Sequence, residues 1–142
     1  MEGAVILEGI SVGDKQTKLE EILDRLKRNA ALLDVVYASN EGMTIAYSST
    51  LPETKIDLIS ALGAAKISLA NDFSTNVYNS STPAPFRKLI LEHDDPRRMN
   101  GCRRVVLMPL LEGILITLSS EVNLGLVLLE MRKAAQIINQ II

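Results

Sequence analysis

The chain contains one histidine, His93, and one cysteine, Cys102, and these two side chains are the best suited to catalysis. His93 follows Glu92 and precedes Asp94, so it could act as a general base in an acidic setting. Cys102 precedes two arginines, whose charge would lower the pKa of the thiol. A lone histidine beside acids is more often a loop residue, and we interpret Cys102 as an ordinary thiol at a strand start. One histidine and one cysteine cannot form a zinc site of the usual kind.

A second candidate is a cluster of arginines around one predicted turn, formed by Arg97, Arg98, Arg103 and Arg104. Such a cluster could bind a phosphate or an acidic partner, and an exposed arginine could enter a phosphoryl-transfer site of another protein. Acidic side chains lie close in sequence and could neutralise the cluster, namely Glu92, Asp94, Asp95 and Glu112. We interpret the segment first as a solvated, charged hairpin and second as a partner contact.

Motifs that bind the phosphates of nucleotides are absent from the sequence. Neither G-x-x-x-x-G-K-[ST] nor G-x-G-x-x-G occurs. The net charge is −2 and aromatic residues make up 4% of the chain, which argues against a dedicated nucleic-acid binder. We therefore expect a protein that is not an enzyme, that needs no cofactor or metal, and that binds no nucleic acid.

The sequence indicates a single cytoplasmic domain that does not insert into a membrane. Its 142 residues, of which 47% are apolar, suit one domain with its own core. The first residues carry acid and only a short apolar run, unlike a signal peptide. The longest apolar stretch, 105–118, is interrupted by polar residues and is too short to span a bilayer. A single cysteine also agrees with a reducing compartment.

Periodicity divides the chain into a leader over 1–16, which could form an extra strand, and a domain over 17–142. Amphipathic helices are predicted over 17–30, 53–78 and 123–142, the first with a capping box at Thr17 and the last capped by Ser120. Residues rich in Val, Ile, Tyr and Thr predict strands over 32–39, 43–48, 87–94, 103–110 and 113–119. The order α-β-β-α-β-β-β-α predicts an α+β fold with three α/β/α layers and a five-stranded antiparallel sheet.

The long predicted helix over 53–78 is unusual because its apolar arc spans roughly 200°. That arc is wider than one sheet face needs, so the helix is expected to pack laterally on something else, such as a second subunit. The arc includes Ile59, Leu62, Lys66, Leu69 and Phe73. Because an unpaired buried ammonium is costly, Lys66 is expected to snorkel at the rim of such an interface.

The opposite line of the same helix carries short and polar side chains. It includes Asp57, Ser60, Ala61, Ala64, Ser68, Asn71, Asp72 and Thr75. A flat strip of this kind allows another backbone to approach closely. The alternative interpretation is an ordinary solvent-exposed face, although such faces usually carry more Lys and Glu.

The order and spacing of these elements resemble the roadblock / dynein light chain family over residues 17–142. The matching segments are the first helix with Leu23 and Leu26, the hairpin 35–46, the small-residue stretch 61–65, the strand 113–118 and the helix start 123–125. The resemblance implies a homodimer in which the second helices lie side by side and the third strands join two sheets. In this sequence those parts correspond to 54–78 and 87–94, the latter including Leu89 and Leu91.

The resemblance also implies a function: a non-enzymatic adaptor that binds and regulates a small Ras-like GTPase. The small-residue strip of the long helix would then contact the GTPase through Asp57, Ala61, Ala64, Ser68, Asn71 and Asp72. A competing hypothesis is a sensory domain of similar layering that binds a small ligand in its core. The polar residues that such a pocket could use are chiefly Tyr37, Tyr47 and Thr117.

Overall fold

A computed structural model describes residues 12–77 and 87–142. The helices are α1 (Val12–Asn29), α2 (Glu53–Val77) and α3 (Leu124–Ile141), and the strands are β1 (Asp34–Ala38), β2 (Thr44–Ser48), β3 (Leu89–Asp94), β4 (Cys102–Pro109) and β5 (Ile114–Ser120). This is the predicted order α-β-β-α-β-β-β-α. The extra strand suggested for the leader and the loop at 79–85 lie outside the described residues.

The five strands form one antiparallel sheet in the order β2-β1-β5-β4-β3. Consecutive strands pair in the β1–β2, β3–β4 and β4–β5 hairpins, whereas β1 joins β5 with Val36 opposite Ile116. All residues of β1 are buried, as expected for an apolar run that does not alternate. Strands β2 and β3 are the two edges of the sheet.

The first face of the sheet is covered by α1 and α3, which pack against each other as well as on the strands. The inner side of α1 follows the predicted helical spacing, since Leu19, Ile22, Leu23 and Leu26 are all buried. From α3, the fully buried side chains are Val127, Met131 and Ile138. These residues and the strand side chains between them form one continuous apolar cluster.

Within the described part of the chain, the second face is covered by α2 alone. This helix turns Ile56, Ser60, Gly63 and Ile67 toward the sheet. Gly63 permits close packing, because a Cβ at this position would lie 2.6 Å from Cδ1 of Ile116 and 3.2 Å from Cδ2 of Leu107. Together with the two helices on the other face, α2 completes the predicted α/β/α layers.

Two predicted helix starts are wrong. Helix α1 begins at Val12 rather than at 17, and the Thr17 hydroxyl donates to the carbonyl of Gly13 inside the helix instead of capping it. Ser120 belongs to β5, and the N-cap of α3 is Asn123, whose side chain accepts from the N–H of Leu126. Asparagine is as effective a cap as serine, so residue type alone did not distinguish them.

None of the helices among the described residues is long and apolar enough to cross a membrane.

Candidate functional site

The small-residue strip of α2 lies beside the β1–β2 hairpin, and this contact explains part of its composition. The Thr44 hydroxyl donates to Oδ1 of Asp57 at 2.8 Å and lies 2.6 Å from the hydroxyl of Ser60. Ser60 is fully buried, so its predicted place on an exposed line is wrong. The hydroxyl is tolerated there because Thr44 supplies a hydrogen-bond partner.

The turn of the same hairpin approaches the strip through Gly42, which has a φ of +91°. A Cβ on Gly42 would lie 3.1 Å from Cα of Ala61 and 3.3 Å from Cβ of Ala64. Ala61 and Ala64 therefore admit a closely approaching backbone, as predicted for a flat strip. In the folded chain that backbone is the chain's own turn.

Much of the strip nevertheless remains accessible. The exposed members are Asp57, Ala61, Ser68 and Asp72, whereas Ala64 and Asn71 are half-buried. Only the first half of the strip contacts the hairpin, because Ser68 and Asp72 follow Ala64 by one and two helical turns. The structure does not show a partner on this surface, and its role in binding stays a prediction.

The apolar arc of α2 lies on the other side of the helix, toward β3. Ile59 packs against the cluster that contains Leu89 and Leu91, and helical spacing places Leu62, Lys66 and Phe73 on the same side. Leu62 is 51% exposed and Phe73 is 67% exposed. Leu69, at 68% exposure, points more directly away from the sheet. Lys66 is exposed, as expected for a snorkelling residue.

The second part of α2 has little support from the residues that the structure describes. No residue after Ile67 is buried in this helix, although it continues to Val77. Several of these residues are apolar and exposed, namely Leu69, Phe73 and Val77. Apolar packing rather than propensity supplies most helical stability, so a helix end of this kind needs further contacts.

Strand β3 forms an open edge beside this apolar side. It pairs only with β4, so its outer backbone groups have no strand partner among the described residues. Leu89 and Leu91 face the α2 side and are half-buried, while Ile90 faces the α1/α3 cluster. An unpaired, apolar edge strand is a template for pairing with another chain. The predicted interface residues of α2 and β3 thus border one continuous surface.

The arginine cluster separates into inner and outer residues. Arg104 is buried, donates to the carbonyl of Val122 at 2.8 Å and pairs with Glu92 at 3.1 Å. Arg103 pairs with the buried Asp95 at 3.4 Å. Because both guanidinium groups are held inside the hairpin, neither is presented to a partner's active site.

The outer part of the hairpin is organised by Asp95. Its Oδ1 accepts from the N–H of Arg97 at 2.9 Å, and its Oδ2 lies 3.8 Å from Nε of Arg98. The hydrogen bond from Arg97 and the charges of Arg103 and Arg98 hold the pKa of Asp95 below its usual range. Arg97, Arg98 and Met99 are exposed at the tip of this anchored turn.

His93 and Cys102, the two side chains considered for catalysis, lie on the paired strands β3 and β4. Burial raises the pKa of the Cys102 thiol, and the nearby carboxylates of Glu92 and Glu121 raise it further. The predicted lowering of the Cys102 pKa by Arg103 and Arg104 is therefore wrong, because these two guanidinium groups pair with Asp95 and Glu92. Nδ1 of His93 lies 3.0 Å from the carbonyl of Asp94 on an exposed strand end. No group of His, Cys, Asp or Glu suited to a metal ion occurs in the described parts of the chain.

The residues suggested for a ligand pocket do not converge. Tyr37 is buried and its hydroxyl donates to the carbonyl of Glu112. The Thr117 hydroxyl donates to Sδ of Met131 in the core. Tyr47 lies on the edge strand β2 and is 37% exposed. Burial, reinforced by the charge of Glu112, raises the pKa of Tyr37. In the described structure Tyr37 and Tyr47 line different clefts, so these side chains do not support the sensory-domain hypothesis.

Comparison with solved structures identifies the fold. MglB from Myxococcus xanthus superimposes with a TM-score of 0.75 at 17% identity, covering 88% of this chain and 87% of that protein. An MglB with a tetrameric arrangement superimposes with a TM-score of 0.72 at 16% identity, covering 89% of each chain. A Roadblock/LC7 domain from Streptomyces avermitilis gives 0.72 at 13% identity, covering 85% of this chain and 94% of that one.

Comparison of the sequence with family models and with curated proteins gives no match. The likeness to known proteins is therefore carried by the backbone arrangement, which is that of a prokaryotic roadblock-type domain.

Proposed function

We propose that this roadblock-type chain forms a homodimer through α2 and β3, and that the dimer binds and regulates a small Ras-like GTPase. The observation that carries the proposal is the coincidence of an open β3 edge with an exposed apolar side of α2. Two-fold pairing of these surfaces would extend the sheet and bury both at once. The resemblance to roadblock proteins, which the fold comparison supports, supplies the class of partner.

The GTPase would contact the outward strip of the paired helices, where Asp57, Ala61, Ser68 and Asp72 are exposed. Short side chains lose little conformational entropy on binding and let a partner's backbone approach. The hairpin would supply no catalytic arginine, because Arg103 and Arg104 pair with carboxylates of the hairpin and the turn that carries Arg97 and Arg98 is anchored by Asp95. We propose that it acts in the cytoplasm and that the domain covers 17–142, with the described helix extending it to Val12.

Replacing Leu62 by Asp tests the dimer. The side chain is 51% exposed in one chain, so the variant should fold, yet in the dimer its charge would be buried without a partner. Truncating interface anchors costs about 2 kcal/mol or more, so the affinity of the two chains for each other should fall by at least about thirty-fold. Sedimentation at several concentrations measures it, and circular dichroism confirms folding. A wild-type chain that sediments as a monomer at micromolar concentration contradicts the proposal.

Replacing Ser68 by Arg tests the GTPase surface separately. An arginine here can pair with Asp72 four residues on, so α2 should not be weakened. The variant should remain dimeric but lose binding to the GTPase, whereas Lys55→Arg on the same helix serves as a conservative control. Titration calorimetry should use purified small GTPases of the source organism, loaded with GDP or a non-hydrolysable GTP analogue. If the wild-type dimer binds none of them, the functional half of the proposal is wrong.

GTP turnover of the bound partner distinguishes regulation from donation of a catalytic group. An arginine finger contributes about 10³–10⁵-fold to turnover. We expect Arg97→Ala and Arg98→Ala to change turnover by less than about two-fold, because any effect of the dimer would come from ordering the GTPase's own residues. A loss of about a hundred-fold or more in either variant would assign a catalytic role to the hairpin.

A further inference from the structure

The charge of the side chains changes from positive to negative along the segment that contains β3, so the segment is complementary to an antiparallel copy of itself. It begins with the cations Arg87 and Lys88, continues with the apolar residues 89–91, and ends with Glu92 and Asp94. The charged residues at both ends are exposed, and the apolar centre is half-buried. Antiparallel pairing of two such strands brings the cationic end of one to the acidic end of the other.

The hydrogen-bonding side of each residue follows from the β3–β4 hairpin. The N–H of Asp95 donates to the carbonyl of Gly101 at 2.9 Å, so its backbone is directed toward β4. Backbone groups alternate along a strand, and the β3–β4 register is continuous up to Asp94 opposite Cys102. The backbone groups of Lys88, Ile90 and Glu92 are therefore directed to the open edge.

A two-fold axis perpendicular to the sheet permits two registers that keep the apolar residues together. Side chains directly opposite each other must lie on one face, so the axis passes through Ile90 or Leu91. With the axis at Ile90, Leu89 lies opposite the partner's Leu91, and Lys88 lies opposite the partner's Glu92. With the axis at Leu91, Ile90 would lie opposite the partner's Glu92, which pairs an apolar side chain with a carboxylate.

The surroundings of Lys88 also favour an acidic neighbour. Arg87, Lys88 and Arg132 border an open cleft at the start of β3, and no acidic residue lines it. At the other end of the strand, Glu92 is positioned at 3.1 Å from Arg104 and retains 55% of its side-chain exposure. An incoming carboxylate would relieve the repulsion among the three cations.

We infer that the two copies of this chain join their sheets with the two-fold axis at Ile90, so that Lys88 of each copy pairs with Glu92 of the other. The inference rests on the proposed homodimer and specifies its register. The apolar centre supplies burial in both registers, and the neighbouring one would also bring Lys88 opposite an acid, the partner's Asp94. The register at Ile90 is selected because its neighbour would set the apolar Ile90 opposite the partner's Glu92.

Disulfide trapping distinguishes the two registers in a Cys102→Ser background. In the proposed register Leu89 and the partner's Leu91 form a non-hydrogen-bonded pair, with Cα atoms about 4.5 Å apart. That separation is within the range that a disulfide bridges. Leu89→Cys and Leu91→Cys should therefore cross-link when the two variants are mixed and oxidised. Neither variant should cross-link when oxidised alone.

Cross-linking of Leu91→Cys alone would assign the axis to Leu91 and overturn the inference. Absence of any cross-link, with a dimer still present by sedimentation, would overturn it too. A monomer by sedimentation would instead overturn the homodimer itself, and the register with it. The two failures are thus told apart by the same samples.

Charge exchange tests the ion pairs independently of cysteine chemistry. Lys88→Glu places like charges at two symmetric contacts and should weaken dimerisation by about ten-fold. The second change Glu92→Lys should restore part of the affinity, because it also removes the partner of Arg104 within the chain, whereas Asp94→Lys should restore none. Rescue by Asp94→Lys instead would indicate the register centred on Leu91. Arg87→Glu, whose opposite residue is the partner's His93, is the matched control and should have the smaller effect.

Discussion

The two faces of the sheet are covered to different degrees. On the first face, α1 and α3 pack against each other and bury continuous stripes, with Leu23, Met131 and Ile138 fully enclosed. On the second face, α2 buries four residues and none after Ile67. Several of its other apolar side chains are exposed, with Phe73 at 67%. The first face is complete within one chain, whereas the second leaves an apolar surface next to an open strand.

The first face is therefore stabilised by contacts within a single chain, whereas the second face would be completed by contacts with a second chain. A side chain in the first face contributes to folding at any protein concentration. A side chain on the outer surface of α2 contributes only when a partner covers it, so its effect should depend on concentration. Mutations on the two faces therefore test the comparison directly.

The largest effect is expected for Leu23→Ala in the closed face. Leu23 is fully buried in α1, so its truncation removes apolar contacts and leaves a cavity. We expect the free energy of unfolding to fall by about 2–5 kcal/mol, independently of protein concentration. Urea denaturation at several concentrations measures it. A loss that disappears on dilution would contradict the assignment of this face to a single chain.

A smaller effect is expected for Gly63→Ala where α2 contacts the sheet. The added methyl group would lie 2.6 Å from Cδ1 of Ile116 and 3.2 Å from Cδ2 of Leu107. Those are flexible side-chain ends, so the cost should stay near about 1–3 kcal/mol. Ala65→Gly on the exposed side of α2 is the control for helix propensity alone. An unchanged stability of Gly63→Ala would mean that α2 is not seated closely on the sheet.

The hairpin at the open edge should respond to pH. The pKa of Asp95 is lowered in the folded chain, so its ionised form stabilises the fold above the unfolded pKa of about 3.9. This contribution is lost as the pH falls through the folded value. Asp95→Asn should therefore be less stable than wild type at pH 7 and approach it in acid. Chemical denaturation at both pH values measures the difference, and a pH-independent difference would contradict the ionic role.

The smallest effect is expected for Leu69→Ser on the open face. Leu69 is 68% exposed, so the free energy of unfolding of an isolated chain should change by less than about 0.5 kcal/mol. The comparison with Leu23→Ala should be made at concentrations where wild type is monomeric. If Leu69→Ser destabilised the monomer as much as Leu23→Ala, the distinction between the two faces would be wrong.

Much of the fold could be predicted from residue patterns. The element order and the inner stripe of α1 are confirmed, because both depend on hydrophobic periodicity over whole segments. Errors occurred at helix ends, and residue patterns did not show which side of α3 is innermost, where Val127 and Ala134 are buried while Leu124 and Leu128 are half-buried. Those details depend on local capping and on how the helix is rotated against its neighbours.

The candidate site was predictable only in part. The wide apolar arc of α2 predicted a surface for a second subunit, and Leu62 and Phe73 on that arc are exposed among the described residues. A partner on this surface stays a prediction. The small-residue strip was harder to interpret, because helical spacing does not show that Ala61 and Ala64 lie against the turn at Gly42. That contact joins residues about twenty positions apart and depends on how α2 crosses the sheet.

Residue patterns predicted the layers of this protein, the absence of motifs that bind nucleotides or metals, and the apolar excess on α2. The packing of the elements was needed to show which side of α2 faces β3, that Ser60 is buried, and that Arg103 and Arg104 pair with Asp95 and Glu92. Periodicity reports the angle of a side chain about its own helix or strand, whereas its neighbour is set by how separate elements pack.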